Sequence, residues 1–291
     1  LYYDDRKQKI NLIFSIIINL AVLVFFKYYG FLLNTIGGII GIHIPHPELS
    51  LPIGLSFYTF RNLSYLFDIY LSKVSAQRNF LTFAVYSTMF PYTSAGPIVR
   101  YTDIETQLKQ RTINISKFGT GAELFVKGLA KKVLLADNLS VLYSSICGHP
   151  QMSVFTSWLG ILAYTMQLYF DFSGYSDMAI GLGKMLGFDF NKNFDYPYIS
   201  TSVSEFWRRW HISLGSWFRD YIYIPLGGNR VSTLKHIRNI LVVWALTGLW
   251  HGASWNFVLW GVYYGLFLLL EKFVLQKYLK KIPSWLCTVY T

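Results

Sequence analysis

One histidine lies inside a long run without charged residues, Ile240–Leu270. A neutral imidazole can take a proton from a hydroxyl near working pH, because its ordinary pKa is about 6.5. As one helix the run would extend about 46 Å, beyond the roughly 30 Å hydrocarbon core of a bilayer. His251 would lie about 16 Å deep, on the same face as Thr247 and Ser254. Position alone leaves it either a hydrogen-bonded structural residue or a functional group.

A second histidine lies in an amphipathic segment, Ser202–Tyr221. Apolar residues recur there at helical spacing, and Ser202 with Glu205 matches the capping box that opens many helices. The segment therefore predicts one helix lying at a membrane interface. His211 borders its apolar stripe, which by itself is typical of a filler residue.

The composition is that of an integral membrane protein. The chain has 291 residues, of which 53% are hydrophobic and 14% charged. Its apolar runs are continuous rather than alternating, so we predict an all-α polytopic protein and not a barrel. The net charge of +11 comes from Lys and Arg in connecting segments. That pattern indicates a positive-inside bias rather than a nucleic-acid partner.

Several segments are long and apolar enough to be predicted spans. Phe31–Ile44 is short and either tilted or re-entrant, and Phe80–Val99 breaks near its end. Ala122–Leu139 is either interfacial or the end of a span. Basic residues outnumber acids between positions 201 and 238, which places that loop in the cytoplasm. The other predicted spans are Ile10–Phe26, Leu51–Leu71, Ser153–Phe170 and Ile240–Leu270, the last being one tilted helix or two helices broken near Gly252.

Charged residues inside the predicted spans have structural interpretations. Arg61 and Asp68 lie about 10 Å apart along a helix axis, so each must find another partner. Asp171 and Asp177 lie on nearly opposite sides of a helix, which excludes a paired-carboxylate site and favours capping or local hydrogen bonding.

Neither cysteines nor histidines show the spacing of a metal site. Cys147 and Cys287 have no metal or redox pattern, and we predict no metal. No linker is long enough to separate domains, so residues 1–291 are interpreted as one domain. The chain starts at Leu1, which suggests a piece of a longer membrane protein.

Six blocks in order resemble one family. Together they are similar to the membrane-bound O-acyltransferase family, in its bacterial alginate O-acetyltransferase-like branch. The blocks are LPIGLSFYTF (51–60), FPYTSAGPIVRY (90–101), GLAKKVLLADNL (128–139), FDFSGYSDMAIGLGKMLGF (170–188), FWRRWHISLGSWFRDYIYIPLGGNR (206–230) and LTGLWHGASWNFVLWG (246–261).

The resemblance implies a ring of tilted helices around a central funnel, with interfacial amphipathic helices. It implies an O-acyltransferase, most simply an O-acetyltransferase, of the bacterial cytoplasmic membrane. The donor would be acyl-CoA or another cytoplasmic thioester, with no tightly bound cofactor. The acceptor would be hydroxyls of a cell-surface or exported polysaccharide, reached through an extracytoplasmic transferase partner. The family's two functional histidines match His251 and His211.

These matches assign roles that experiments can test. His251 would be the general base, and His211 would position or polarise the thioester carbonyl or guide the donor. Arg208 and Arg209 would attract donor phosphates, unless they serve only the positive-inside bias. One alternative is a transporter or channel with a buried functional histidine. Another is a scaffold, in which the two histidines would not face one passage.

Overall fold

The computed structural model describes residues 5–149 and 151–291, and its regular structure there is helical, which confirms the predicted all-α class. Short helices and turns link the longer ones. The α-helices in chain order are α1 Asp5–Leu23, α2 Tyr29–Ile40, α3 Leu55–Tyr70, α4 Phe80–Thr88, α5 Tyr101–Lys109, α6 Ile115–Ala130, α7 Asp137–Cys147, α8 Val154–Met185, α9 Val203–Arg209, α10 Ile212–Phe218, α11 Thr233–His251, α12 Trp255–Leu270, α13 Gln276–Leu279 and α14 Ser284–Tyr290.

Wider π-helical turns carry the chain from one helix to the next without a break. Val24–Tyr28 joins α1 to α2, and Lys131–Ala136 joins α6 to α7. Glu271–Leu275 extends α12, and Arg219–Tyr223 follows α10. The predicted separation of the first two apolar segments is therefore wrong, since the helical stretch runs on to Ile40 and ends at the left-handed Gly41.

Two helical stretches of the described chain have the length and composition to cross a membrane. They are Arg6–Ile40 and Trp255–Leu279. Only 6% of the most apolar window of the first stretch is buried inside the protein, and 22% of the second. Large side chains such as Ile10, Phe14 and Leu259 are therefore exposed along their length. Lipid is the surrounding that such surfaces suit.

Helix α8 is much longer than the predicted span Ser153–Phe170, because it continues to Met185. It packs closely on α6, where a Cβ added to Gly128 would lie 2.5 Å from the Gly174 carbonyl oxygen.

The two aspartates of α8 form ion pairs near this contact. Asp177 pairs with Lys131 at 2.5 Å. The next lysine, at position 132, pairs with Asp171 at 2.8 Å. The expectation of capping or local hydrogen bonding was therefore wrong for these two aspartates, which form ion pairs with lysines of a distant segment.

Arg61 and Asp68 find separate partners, as their spacing predicts. The Arg61 guanidinium donates to the carbonyl oxygens of Tyr92 at 2.8 Å and Ser87 at 2.7 Å. These carbonyls lie where α4 ends and the chain breaks, so the arginine satisfies groups that the break leaves free. Asp68 accepts from Tyr221 at 2.7 Å. Both charged residues are fully buried, so they do not mark an open translocation path.

The run Ile240–Leu270 is two helices, α11 and α12, and not one tilted helix. Gly252 and Ser254 both have extended backbones between them. Ser254 therefore leaves the polar stripe predicted from helical spacing. The two helices approach closely because Gly248 and Gly261 face each other: a Cβ on either would collide with a backbone carbonyl of the opposite helix.

Candidate functional site

His211 and His251 line the same cavity, which has a volume of about 800 Å³. His251 is the last residue of α11, and His211 stands between α9 and α10. A scaffold in which the histidines do not share a passage would not have this arrangement. Other basic side chains along the cavity are Arg208, Arg219, His236, Lys272 and Lys280.

The segment that carries His211 is two short helices rather than the predicted single one. Trp210 is extended and His211 has a left-handed backbone with φ of +46°, so the chain turns sharply there. A residue with a side chain adopts this conformation at a cost of about 1–3 kcal/mol, and such strain tends to occur at functional sites. The turn moves His211 off the stripe border and into the interior, where it is 3% exposed.

Asn193 determines which nitrogen of His211 carries the proton. Its Oδ1 accepts from the backbone N–H of Ser213 at 3.1 Å, and its Nδ2 donates to Ser176 at 3.2 Å. With the amide oriented this way, the Nδ1 of His211, 3.2 Å from Oδ1, must be the donor. The Nε2 is then an acceptor, and it is buried without a hydrogen-bond partner among the described residues. A buried acceptor without a partner, in a residue lining a cavity, is available to a ligand.

His251 is surrounded by aromatic rings but is itself exposed. Its ring centroid lies 4.9 Å from that of Trp250 and 5.1 Å from that of Trp260. The Trp250 ring is 6.0 Å from that of His211, so one indole lies beside both histidines. Thr247 shares a helix face with His251, but its hydroxyl donates to the Val243 carbonyl oxygen in its own helix.

The two neighbouring arginines have different surroundings. Arg209 is held by Glu205 at 2.8 Å and Asp195 at 3.5 Å. Arg208 is exposed and lines the cavity, and its guanidinium has no partner in the described ranges.

The predicted capping box of Ser202 and Glu205 is only half correct. Ser202 accepts from the N–H of Glu205, but the Glu205 carboxylate accepts from Thr201 instead of from Ser202.

A carboxylate holds the arginine at the far end of α10. Asp220 accepts from Arg219 at 2.7 Å and from Arg100 at 2.7 Å. Burial by itself would raise the pKa of Asp220, but hydrogen bonds from these two guanidinium groups outweigh it and lower the pKa below its ordinary value. Arg219 is therefore partly neutralised where it lines the cavity.

No group of three His, Cys, Asp or Glu side chains is placed to hold a metal ion in residues 5–149 and 151–291.

The sequence pointed to both histidines but not to Asn193 and Trp250, which contact them. No motif marks Asn193, because its amide meets His211 through a loop contact 18 positions away. Trp250 adjoins His251 in sequence, yet only the fold places it beside the other histidine.

A sequence model of the membrane-bound O-acyltransferase family matches residues 53–281. The chain is 46% identical to the probable alginate O-acetylase of Azotobacter vinelandii, covering 89% of this chain and 52% of that protein. It is 35% identical to the peptidoglycan O-acetyltransferase of Helicobacter pylori, covering 97% and 60%. With the teichoic acid D-alanyltransferase of Bacillus subtilis it shares 27% identity, covering 84% and 64%.

The chain thus spans about half the length of the first of these relatives. The family match covers most of the chain, including both histidines, and the family is membrane-bound. These findings confirm the resemblance seen in the six sequence blocks. The chain belongs to the membrane-bound O-acyltransferase family.

Proposed function

We propose that the protein transfers an acyl group, in its simplest form acetyl, from a thioester to a hydroxyl, with His251 as the general base. The observation that carries this proposal is the shared cavity of His211 and His251. The relatives named as alginate O-acetylase and peptidoglycan O-acetyltransferase support O-acetyl transfer to a polysaccharide.

The reaction needs one proton carried from the oxygen of the acceptor hydroxyl to the sulfur of the leaving thiolate. An unprotonated nitrogen of His251 takes the proton of the acceptor hydroxyl as its oxygen attacks the thioester carbonyl carbon. The C–S bond then breaks, and the leaving thiolate takes the proton back from the imidazolium. General-base assistance of this kind typically contributes about 10²–10⁴-fold to the rate.

His211 has a different part in this proposal, because its Nε2 is an acceptor. An acceptor cannot polarise a carbonyl oxygen, which needs a donor. It can instead receive a hydrogen bond from an amide N–H of a coenzyme A arm, and so position the donor. Of the roles expected for His211, the structure therefore favours guidance of the donor over polarisation.

Arg208 is the candidate for contact with donor phosphates. Its guanidinium is exposed on the cavity and free of other partners in the described chain, as phosphate binding would need. Arg209 lacks this freedom because Glu205 and Asp195 hold it. The phosphate role expected of both arginines is therefore assigned to Arg208 alone.

We further propose a multi-pass setting in a bacterial cytoplasmic membrane, with the basic loop between positions 201 and 238 in the cytoplasm. The donor would enter from that side. The acyl group would leave on the other side toward an extracytoplasmic transferase and a polysaccharide hydroxyl. The ring of helices around a funnel belongs to this same proposal.

Acyl transfer in membrane vesicles tests the assignment. A radiolabelled acyl thioester is supplied to vesicles whose insertion of each variant has been verified. His251→Ala is expected to lower transfer by about 10²–10⁴-fold, and His211→Ala to raise the apparent KM for the donor. His43→Ala, in an exposed loop, is the matched control and is expected to keep full activity. Full turnover by His251→Ala would remove the base from the mechanism.

The transporter alternative has a separate readout in the same vesicles. Transport moves the intact donor or solute and leaves the thioester bond unbroken, whereas acyl transfer releases one free thiol for each acyl group moved. Thiol release in step with acylation supports the transferase.

A further inference from the structure

The helix that carries His251 ends at that residue, and its last carbonyl groups need partners. An α-helix leaves the carbonyls of its final turn without donors of its own. The N–H of Gly252 reaches the Gly248 carbonyl at 3.4 Å and closes the helix. Beyond it the chain is extended, so the carbonyls of Leu249 and Trp250 depend on donors from elsewhere.

Both donors come from one place, the π-helical turn Val24–Tyr28. The Tyr28 hydroxyl donates to the Leu249 carbonyl oxygen at 2.9 Å, and the Lys27 ammonium donates to the Trp250 carbonyl oxygen. Lys27 also donates to Ser56 at 3.1 Å. The two bonds to the carbonyls of α11 join residues more than 200 positions apart.

The ammonium group of Lys27 is committed to this helix end. It forms no ion pair with a carboxylate of the described chain. It lies 5.6 Å from the ring centroid of Trp250, within cation–π range. A cation at a helix C-terminus is also favoured by the helix dipole. Three interactions thus hold the half-buried Lys27 in place: the hydrogen bond to the Trp250 carbonyl, the cation–π contact with the Trp250 ring, and the helix dipole. All three act at the end of α11, next to His251.

Lys27, with Leu23 and Tyr28, forms an inward-facing part of an otherwise largely exposed helical stretch. An extra residue in a turn rotates the side chains that follow it, and single π-turns are often found at functional sites. Most side chains before the turn face outward, such as Phe14 and Ile17, although Leu23 directly before it is buried. Within it, Tyr28 becomes buried and Lys27 half-buried.

We propose that Lys27 is a positioning residue for acyl transfer, fixing the last turn of α11 so that the His251 imidazole faces the donor. Tyr28 assists by holding the carbonyl one residue earlier. This inference rests on the proposed role of His251. It assigns function to a part of the chain that lies before the family match, which begins at residue 53.

Lys27 lines a second cavity, of about 830 Å³, together with Ala253 and Ser254. His251 is not among the residues that line it. Lys27 does not line the donor cavity. Its loss should therefore lower kcat, by misplacing the base, without changing the donor contacts that set KM.

The test compares Lys27→Met, Lys27→Arg and Tyr28→Phe in the complete protein in native membranes, with Lys9→Met as the matched control on the same helix. For Lys27→Met we expect kcat to fall about 10²-fold, the scale of a roughly 1 Å misplacement, with the donor KM unchanged. Arg keeps a charged donor at position 27 and should restore most of kcat. Tyr28→Phe removes one hydroxyl and should lower kcat by a smaller factor.

Several outcomes would overturn the inference. Wild-type kcat in Lys27→Met is one, and an equal loss in Lys27→Met and Lys27→Arg is another. If Lys27→Met does not accumulate in the membrane, Lys27→Arg and Tyr28→Phe still decide the matter. His251→Ala is measured beside them: activity in that variant contradicts the proposed base, whereas inactive His251→Ala with fully active Lys27→Met contradicts the positioning role alone.

Discussion

Glu271 is predicted to hold the helix that leads to His211, and Glu271→Ala should show it. The carboxylate is 3% exposed and accepts from the N–H of Val203 at 2.7 Å and from the N–H of Ser204 at 3.0 Å. It also accepts from the Ser204 hydroxyl. These are the first two N–H groups of α9, and Ser202 satisfies only the third, that of Glu205.

The size of the effect follows from what Ala leaves behind. A buried N–H without an acceptor costs about 1–3 kcal/mol, and loss of a carboxylate at a helix N-terminus costs about 0.3–1 kcal/mol more. Together they predict a loss of about 3 kcal/mol in the free energy of unfolding. At roughly 2–4 °C per kcal/mol, the unfolding midpoint should fall by about 6–12 °C.

The assay is thermal unfolding of the purified protein in detergent, followed by tryptophan fluorescence. Glu271→Gln keeps one acceptor oxygen and should fall between Ala and the native protein. Glu123→Ala removes an exposed carboxylate paired with Lys127 and should leave the midpoint nearly unchanged. Equal midpoints for Glu271→Ala and Glu123→Ala would refute the reasoning.

Three further predictions concern charge and packing. Arg208→Gln should raise the donor KM about tenfold in a vesicle assay, whereas Arg209→Gln should leave KM unchanged. Because the pKa of Asp220 is lowered in the folded protein, its ionised carboxylate stabilises the fold at pH values above the ordinary pKa of 3.8. This stabilisation is lost as the pH falls through the lowered pKa. The gap in unfolding midpoint between the native protein and Asp220→Asn should therefore be open at neutral pH and close in acid. Gly261→Ala should cost about 1–3 kcal/mol by pushing α12 off α11, while Gly38→Ala, with open space around it, should lower no midpoint in the same unfolding scan.

Patterns along the chain predicted what depends on local chemistry. The break near Gly252 and the break after α4 were visible as small or proline-rich stretches, and the separate partners of Arg61 and Asp68 followed from helix geometry. The family blocks identified both histidines. Each of these features is set by residues close to one another in sequence.

Contacts between distant segments were beyond the same reasoning. No residue near His211 in sequence predicts its left-handed backbone, because the side chain that contacts it, Asn193, comes from another loop. The π-helical turn that joins the first two helices lies in an apolar run that carries no marker for it. The contact of Lys27 with the Trp250 carbonyl is formed only in the folded chain. A single sequence records the residue types but not these pairings.

The central claim is that His251 moves the proton in acyl transfer from the cavity it shares with His211. The most direct measurement is single-turnover transfer of a labelled acyl group from thioester to a hydroxyl acceptor, in vesicles containing the native protein or His251→Ala. We expect donor binding to persist in the variant while transfer falls by about 10²–10⁴-fold. Transfer at the native rate, with the variant shown to be inserted, would contradict the account.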